Sequence, residues 1–357
     1  MIGNDDADMT ARQDGTSQTG AVVTRFAPSP TGGLHAGHAL AAIESHDRAR
    51  RAGGRFVLRI EDIDAGRSRP EHVAGILADL RWLGLAWDGE VVFQSARLPL
   101  YAAALERLRG LVYPCFCTRA DIAREVTASA SAPHGVDGAV YPGTCRHVPA
   151  DIAAARMGEP HAWRIDMARA VALAGPLDWH DEIAGRVAAD PLRQGDVVLA
   201  RKDAGTSYHL AVTVDDAAQG VTHVVRGEDH VSNTAMQMQM FNAMEATPPA
   251  FAHEALLVGS EGKLSKRLGS LGVAHFREQG IEPEAVVALL ARLGTSDPVE
   301  AAVDPAPLIA AFDFGRFGRA PARFDESELA QVNARIVHQL PYARVAAALP
   351  GGMDAAA

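Results

Sequence analysis

The chain has 357 residues and 48% of them are hydrophobic, which is enough for two or three domains with a sizeable core. Its formal net charge of −10 argues against nucleic-acid binding through bulk charge, although a local basic face is compatible with it. No apolar run approaches the length of a membrane span, and the polar, acidic start is unlike a signal peptide. We therefore expect a cytoplasmic monomer with a disordered lead and no membrane partner.

The first predicted elements are a strand, a tight loop and a helix. Residues 21–24 are a β-branched run typical of a buried strand, and residues 39–51 have the apolar spacing of a helix. The start of such a helix presents free N–H groups and the positive end of its dipole, which suit a phosphate. His35 and His38 are three residues apart, so both can face one anion. An ordinary turn with two surface histidines is the alternative for so short a motif.

The second predicted strand, residues 55–60, ends in an acidic run that begins with Glu61. Open parallel sheets bind ligands beyond the carboxyl ends of their strands. Glu61 is therefore placed to hold an ammonium group, and Arg25 lies at the end of the neighbouring strand. Together they predict a clamp for an amino acid with a second carboxylate, whereas the acidic run alone would indicate a solvent-facing loop.

Further along the chain, helical and strand-like segments alternate, which predicts an α/β fold. Arg226 closes the last of the predicted strands, so a second arginine lies at a carboxyl end. The predicted helices are residues 69–83, 98–108, 233–244 and 283–293, and the predicted strands are residues 162–167, 196–201 and 221–226.

All three cysteines, Cys115, Cys117 and Cys145, lie in one short segment. Three thiols with a fourth ligand would complete a tetrahedral zinc site. Tyr141 or His147 could supply that ligand, and histidine is the more usual choice. Buried, inert cysteines are the alternative, since a Cys-X-Cys pair alone is weak evidence.

The chain contains three lysines, and two of them, Lys263 and Lys266, lie on one predicted loop. Arginine serves at almost every other basic position, so this loop keeps a compact ammonium rather than a planar guanidinium. Two ammonium groups beside a triphosphate would stabilise the charge that grows as pyrophosphate leaves. Plain surface charge is the alternative.

Five motifs resemble, in the same order, those of the glutamyl-tRNA synthetase family of class I aminoacyl-tRNA synthetases. They are residues 25–38, 59–64, 208–216, 221–230 and 263–267. The resemblance implies a Rossmann-like catalytic domain with an inserted zinc-bearing module that binds the RNA acceptor, and a short helical C-terminal region. It also implies that ATP, with Mg²⁺, activates L-glutamate to an adenylate and that the glutamyl group is then transferred to RNA.

Carried over by position, the resemblance implies three sets of site residues. L-glutamate would be held by Arg25, Ser29, Glu61, Tyr208 and Arg226. His35, His38 and Lys266 would act on ATP, with Lys263 as a further catalytic residue, and zinc would be held by Cys115, Cys117, Tyr141 and Cys145.

The predicted domain organisation follows from the same likeness. It comprises a disordered lead (1–20), a first catalytic half (21–112), an inserted acceptor-binding and zinc module (113–195), a second catalytic half with the lysine loop (196–270), a helical stem-like region (271–345) and a flexible tail (346–357). We expect no room for the anticodon-binding region of a full synthetase.

The N-terminal half, with Glu-Asp-Ile-Asp, Cys-Phe-Cys-Thr and Tyr-Pro-Gly-Thr-Cys-Arg, is most similar to the glutamyl-queuosine tRNA(Asp) synthetases. That paralogous branch attaches glutamate to the queuosine base of an anticodon loop, so we expect tRNA(Asp) as the acceptor. Residues 226–230 and 294–340 look more like a full synthetase, and this leaves charging of the 3′ end of tRNA(Glu) as the alternative. A non-catalytic RNA-binding paralogue and a nucleotidyltransferase are weaker alternatives, because the histidines, lysines and glutamate clamp are all present.

Overall fold

The computed structural model describes residues 21–128, 134–135, 138–259, 262–263 and 271–348. The predicted lead lies outside the described residues, as does most of the predicted tail, although the last helix reaches Ala348. The strands are β1 Val23–Phe26, β2 Arg55–Ile60, β3 Val92–Phe93, β4 Val112–Cys115, β5 His134–Gly135, β6 Gly138–Ala139, β7 Ala162–Ile165, β8 Asp178–Asp181, β9 Gly185–Ala188, β10 Val198–Ala200, β11 His223–Gly227, β12 Ala250–Glu254, β13 Leu257–Gly259, β14 Gly262–Lys263 and β15 Ala322–Arg323. The helices are α1 Ala36–Arg51, α2 Pro70–Trp82, α3 Leu98–Arg107, α4 Arg119–Ala128, α5 Ala150–Ala155, α6 Met167–Ala174, α7 Tyr208–Ala218, α8 Val231–Ala243, α9 Val273–Glu278, α10 Pro283–Leu290, α11 Ala306–Ala311, α12 Glu326–Val337 and α13 Tyr342–Ala348.

The central element is a seven-stranded sheet in the order β3-β2-β1-β11-β12-β8-β9. Neighbouring strands in it are parallel, except that β8 and β9 are antiparallel. The chain moves outward from β1 to β2 in one direction and places β11 on the other side of β1. The carboxyl ends of β1 and β11 therefore flank a topological switch point, where such sheets bind ligands. The predicted α/β class is confirmed.

Apolar packing holds the helices against this sheet. All of β2 except its first residue is buried, as is typical of a central parallel strand. Helix α1 packs on β1, β2 and β11 with Leu40 and Ile43 in the core. Each such aliphatic side chain contributes about 2 kcal/mol through burial. A second apolar cluster joins α3, α6, α7 and α8.

Helix α1 begins three residues earlier than the predicted range of 39–51, at Ala36. Its cap is His35, whose Nδ1 accepts hydrogen bonds from the amides of Gly37 (3.1 Å) and His38 (3.3 Å). These bonds satisfy amides that have no partner within the helix. Histidine is not among the usual capping residues, so composition alone would not place this start.

A smaller antiparallel sheet is built from β4, β7 and β10. The predicted module at 113–195 contains β7, but it also contains β8 and β9, which belong to the large sheet. In contrast, β10 lies beyond residue 195, outside the predicted module, yet it pairs with β7 inside the module. Strand pairing thus crosses that boundary, and the division into 21–112, 113–195 and 196–270 stays a prediction.

The C-terminal part of the described chain is helical and packs beside α1. Helices α10 and α11 both contact α1, and α12 lies against α10. Their apolar side chains join the same core cluster as those of α1. None of the helices in the described ranges is long and apolar enough to cross a membrane.

Candidate active site

The loop after β1 ends in two histidines whose rings stack at the start of α1, with centroids 3.6 Å apart. The Nδ1 atom of His35 accepts from two backbone amides, and that of His38 accepts from the amide of His35 at 3.4 Å. A neutral ring in this setting carries its proton on Nε2. Desolvation lowers the pKa of His35, and desolvation followed by the neighbouring ring lowers the pKa of His38 to about 4. Both histidines therefore present neutral Nε2–H donors near pH 7.

The residues predicted to hold an amino acid lie at the carboxyl edge of the large sheet. Arg25 and Arg226 are each the next-to-last residue of a strand, β1 and β11, and Glu61 directly follows β2; all three are buried. Tyr208, half-buried, begins α7, and Ser29 is exposed in the loop after β1. Burial raises the pKa of Tyr208, on which the charges of Arg226, Glu61 and Arg25 also act. Arg25, Glu61 and Arg226 are therefore close enough to Tyr208 for their charges to act on its hydroxyl.

A buried ion-pair network centred on Arg59 supports two of these residues. Arg59 Nη1 donates to Asp216 Oδ1 (2.8 Å) and Nη2 donates to Glu61 Oε1 (3.4 Å). Arg25 Nε lies 3.5 Å from the same Asp216 oxygen. Burial opposes the charge on Arg59, but the neighbouring carboxylates outweigh it and raise its pKa. The pKa of Glu61 is raised by burial, against the opposing effect of Arg59 and Arg25.

Asp215 extends the network to α3. Its Oδ2 accepts from Gln94 Nε2 (2.9 Å) and from the Tyr101 hydroxyl (2.8 Å). Its Oδ1 accepts from Arg97 Nε at 2.6 Å, and Oδ2 lies 3.8 Å from Arg59 Nε. The adjacent carboxylates of α7 therefore tie β2, α3 and α7 together behind the site.

Arg226 has a different environment, because none of the described residues forms an ion pair with it through a carboxylate. Its Nη2 donates to Thr234 Oγ1 (2.6 Å) and Gln237 Oε1 (2.7 Å), and its Nε donates to His253 Nε2 (3.3 Å). Its Nη1 is buried without a hydrogen-bond partner in the described part of the chain. Burial lowers the pKa of Arg226, and Arg25 adds to that effect. Such a guanidinium is suited to a carboxylate that arrives with a ligand.

The three cysteines form a compact thiol cluster beside Tyr141. Their Sγ atoms lie within 4.8 Å of one another, and the thiols are free. The Tyr141 hydroxyl is 3.4 Å from Cys115 Sγ and 3.6 Å from Cys117 Sγ, and it accepts from the amide of Cys145 at 2.9 Å. His147 is exposed and is not part of the cluster. Three sulfur atoms and one phenol oxygen thus converge at one point.

Residues 21–331 match the family model described as tRNA synthetases class I (E and Q), catalytic domain. The chain belongs to this family. Its members are aminoacyl-tRNA synthetases, so the prediction that the chain is a ligase of this class is confirmed.

Several known proteins are similar along most of the chain. Glutamate--tRNA ligase 1 of Novosphingobium aromaticivorans is 54% identical over 342 residues, which are 94% of this chain and 75% of that protein. Glutamate--tRNA ligase 2 of Sphingopyxis alaskensis is 52% identical over 339 residues, 94% of this chain and 74% of that protein. The chain therefore spans about three quarters of the length of these relatives.

Solved structures give the same picture of the fold. The crystal structure of a glutamate tRNA ligase from Elizabethkingia meningosepticum, in complex with its amino acid, matches with a TM-score of 0.79 and 28% identity. The match covers 90% of this chain and 70% of that one. The predicted Rossmann-like synthetase fold is confirmed. The relatives are named glutamate–tRNA ligases, which is the predicted alternative, and not queuosine-specific enzymes.

The predicted lysine loop of this synthetase is described only in part. The backbone of Lys263 belongs to β14, whereas Lys266 lies outside the described residues. After the loop, Gly272 forms a β-bridge with His35. The chain that follows the loop is therefore anchored at the histidine motif, although the roles of both lysines stay predictions.

The thiol cluster fits a zinc ion in its donor chemistry. Three cysteine sulfurs with one further ligand match a closed, structural zinc site. Of the two candidates for the fourth ligand, Tyr141 lies at the cluster and His147 does not. Burial raises the pKa of Cys117 to about 12, and a bound cation would oppose this effect by favouring the thiolate.

The sequence analysis assigned no role to the residues that support the site, namely Arg59, Asp216, Asp181 and His253. One signal was available, because an arginine inside an otherwise apolar strand needs buried carboxylate partners. Arg59 in β2 and the Asp215–Asp216 pair in α7 fit that rule. His253 and Asp181 gave no comparable signal, since their contacts depend on which strands are neighbours.

Proposed function

We propose that this synthetase activates L-glutamate with ATP to glutamyl-adenylate and transfers the glutamyl group to a tRNA, with tRNA(Glu) as the favoured acceptor. The observation that carries the amino-acid assignment is the buried guanidinium of Arg226, which lacks a carboxylate partner among the described side chains. Relatives named glutamate–tRNA ligase support the same substrate.

In this proposal, Arg226 pairs with the side-chain carboxylate of glutamate and Glu61 receives its ammonium group. Arg25, Ser29 and Tyr208 complete the binding set. The charge of Arg25 is already shared with Asp216, so Arg226 has the greater capacity for a new anion. Glutamine would leave the guanidinium facing a neutral amide, so we expect the site to favour the acid.

The histidines and lysines serve ATP, which class I synthetases typically bind with Mg²⁺. An oxygen of the α-carboxylate of glutamate attacks the α-phosphorus of ATP. The bond from that phosphorus to the oxygen bridging to the β-phosphate breaks, and pyrophosphate leaves. Holding both substrates in line removes the entropy cost of a bimolecular encounter. The Nε2–H donors of His35 and His38 stabilise the developing negative charge, and one preorganised donor is typically worth about 100-fold or more in rate. Lys263 and Lys266 assist the departing pyrophosphate, and Lys266→Ala should abolish adenylate formation.

A second acceptor is favoured by a specific observation. Cys-Phe-Cys-Thr and Tyr-Pro-Gly-Thr-Cys-Arg resemble the queuosine-directed branch, and that acceptor is the queuosine base of tRNA(Asp). Residues 113–195, proposed as the acceptor-binding module, carry both motifs. Relatives over the whole chain favour tRNA(Glu) instead.

One experiment separates these possibilities. The chain is given radiolabelled glutamate, ATP and, in parallel, tRNA(Glu) and tRNA(Asp) with and without queuosine. Labelling of tRNA(Glu) supports the proposal, whereas labelling of only queuosine-containing tRNA(Asp) identifies a modifying enzyme. ATP–pyrophosphate exchange, measured with and without each tRNA, tests the activation step itself. No exchange under any of these conditions would overturn the proposal in favour of a non-catalytic RNA-binding protein.

We further propose that the thiol cluster holds one structural zinc ion through Cys115, Cys117, Cys145 and Tyr141. Bound zinc would cross-link β4 to the loop before α5 and so stabilise the module. Metal analysis should find about one zinc per chain. Tyr141→Phe should weaken zinc retention and His147→Ala, the matched control, should not. No zinc in a sample purified without chelator would favour inert cysteines.

A further inference from the structure

The guanidinium of Arg226 is held by a chain of side chains that crosses three neighbouring strands. His253 lies opposite Arg226 in the parallel register of β11 and β12. Its Nε2 is 3.3 Å from Arg226 Nε and 2.8 Å from Thr234 Oγ1. Its Nδ1 is 2.5 Å from Oδ2 of Asp181, the last residue of β8. This series of hydrogen bonds therefore runs from Asp181 in β8 through His253 in β12 to Arg226 in β11.

Asp181 sets the direction of this hydrogen-bond chain. Its Oδ1 accepts from the amides of Ile183 (3.0 Å) and Ala184 (2.8 Å), so Oδ2 is the oxygen that faces His253. Burial opposes its ionisation, but His253 and these amides outweigh that effect and lower the pKa of Asp181. As an ionised carboxylate, Asp181 can only accept, so Nδ1 of His253 donates. Desolvation lowers the pKa of His253, and in the neutral ring Nε2 is then left as an acceptor.

An acceptor at Nε2 is what the orientation of Arg226 requires. The Nε–H of Arg226 points to Nε2, and Nη2 uses both of its hydrogens on Thr234 and Gln237. Among the described contacts, this leaves Nη1 as the nitrogen with free N–H groups. A proton on Nε2 would instead place two N–H groups against each other, and the guanidinium would turn away.

We propose that Asp181 and His253 are positioning residues for glutamate recognition, which hold Arg226 so that Nη1 faces the incoming side-chain carboxylate. The inference rests on the proposed function, because it assigns that carboxylate to Arg226. Neither residue contacts the substrate in this scheme. Asp181 and His253 orient the guanidinium group, and Arg226 supplies the positive charge.

The decisive variant is Asp181→Asn. The amides of Ile183 and Ala184 require an acceptor, so the new side chain keeps its oxygen there and turns its NH₂ towards Nδ1 of His253. That forces the imidazole proton onto Nε2, against Arg226. We expect the glutamate Kd, measured by calorimetry, to rise roughly tenfold or more. The KM for ATP in pyrophosphate exchange should change less than about twofold, because the ATP site is untouched.

Two further variants distinguish a positioning role from a general effect of the substitution on the structure. Asp178→Asn places the same substitution on the exposed side of the same strand, where Asp178 pairs with Arg186, and it should change neither constant. His253→Phe keeps a ring beside Phe251, on which His253 stacks with centroids 5.8 Å apart, but removes the acceptor. If Asp181→Asn does not fold, His253→Phe should still raise the glutamate Kd selectively.

A double-mutant cycle with Arg226→Met separates failure of the inference from failure of the proposed function. In the Arg226→Met background, Asp181→Asn should add almost nothing to the glutamate Kd, since the group that it orients is absent. Equal losses for glutamate and ATP, or a full effect without Arg226, would overturn the inference alone. An unchanged glutamate Kd in Arg226→Met itself would overturn the assignment of the glutamate site.

Discussion

Arg59 and Arg226 lie on strands of one parallel sheet and are both buried, at 0% and 6% exposure, yet their surroundings are opposite. Arg59 is surrounded by the carboxylates of Asp216, Glu61 and Asp215, which raise its pKa. Among the described residues, Arg226 donates its hydrogen bonds to neutral acceptors, and burial lowers its pKa. The charge of Arg59 is neutralised within the fold, whereas the charge of Arg226 has no carboxylate partner among the described residues, as the proposed glutamate site requires.

This contrast shows that burial alone does not tell a structural arginine from a binding one. A buried charge with several carboxylate partners is part of the framework, and removing it leaves those partners uncompensated. A buried charge with neutral partners is costly to the unliganded protein, and the cost is offset when an anion binds. The two arginines therefore should respond differently to the same substitution.

The largest effect on stability is expected for Arg59→Met. Three buried carboxylates each lose one cationic partner, and Glu61 loses the one that donates to it, so the free energy of unfolding should fall by about 3–5 kcal/mol. Urea denaturation followed by circular dichroism measures it. Arg55→Met, at the exposed start of the same strand, is the matched control and should stay within about 0.5 kcal/mol. Similar losses for both variants would contradict the framework role of Arg59.

For Arg226→Met we expect the reverse pattern. The KM for glutamate should rise roughly 100-fold, since truncation of one partner of a buried charge pair costs about 2–5 kcal/mol. The free energy of unfolding should not fall, because an uncompensated buried charge is removed. Pyrophosphate exchange at varied glutamate and ATP, together with urea denaturation, tests both statements. Equal effects on the KM for glutamate and the KM for ATP would contradict a binding role for Arg226 that Arg59 lacks.

The smallest effect is expected at a pair of like charges, Glu44 in α1 and Glu254 at the end of β12. Burial, and then Glu254, raise the pKa of Glu44, and burial raises the pKa of Glu254 to about 7. A folded pKa above the unfolded value gives stability that is complete below about pH 4 and is lost as the pH rises through 7. We therefore expect this pair to make the protein less stable at pH 8 than at pH 5, by about 2 kcal/mol.

Glu44→Gln tests that pH dependence. The new amide carries no charge and can donate to Glu254, so Glu254 can ionise without a like charge beside it. The loss of stability between pH 5 and pH 8 should shrink to less than half of its original size. Urea denaturation at four pH values provides the measurement, and Glu71→Gln, an exposed position in α2, serves as the control. If the free energy of unfolding of Glu44→Gln depended on pH as that of the unsubstituted protein does, burial of this pair would contribute little to the pH dependence of stability.

The amino-acid sequence by itself determined the local elements and the family. Strand β2 has the predicted bounds, and the predicted histidine motif lies at the start of α1. The cysteines, close in sequence, form the predicted cluster. Periodicity, turn residues and short spacings are local properties, so they can be read without knowing the strand order. The order of five motifs along the chain was enough to indicate the synthetase family, which the family match confirms.

Only the tertiary structure decided which charges are partners. Arg59 bonds Asp216 across 157 residues of sequence, and His253 reaches Asp181 across 72. The first pair joins β2 to α7. The second exists because β12 lies beside β8, and it reaches Arg226 because β11 lies on the other side of β12, with His253 in register with Arg226. A shift of one residue in that register would turn His253 to the opposite face. Strand order and register follow from packing of the whole sheet, and for that reason the unpaired Nη1 of Arg226 and its contacts with His253 and Thr234 emerge only from the folded molecule.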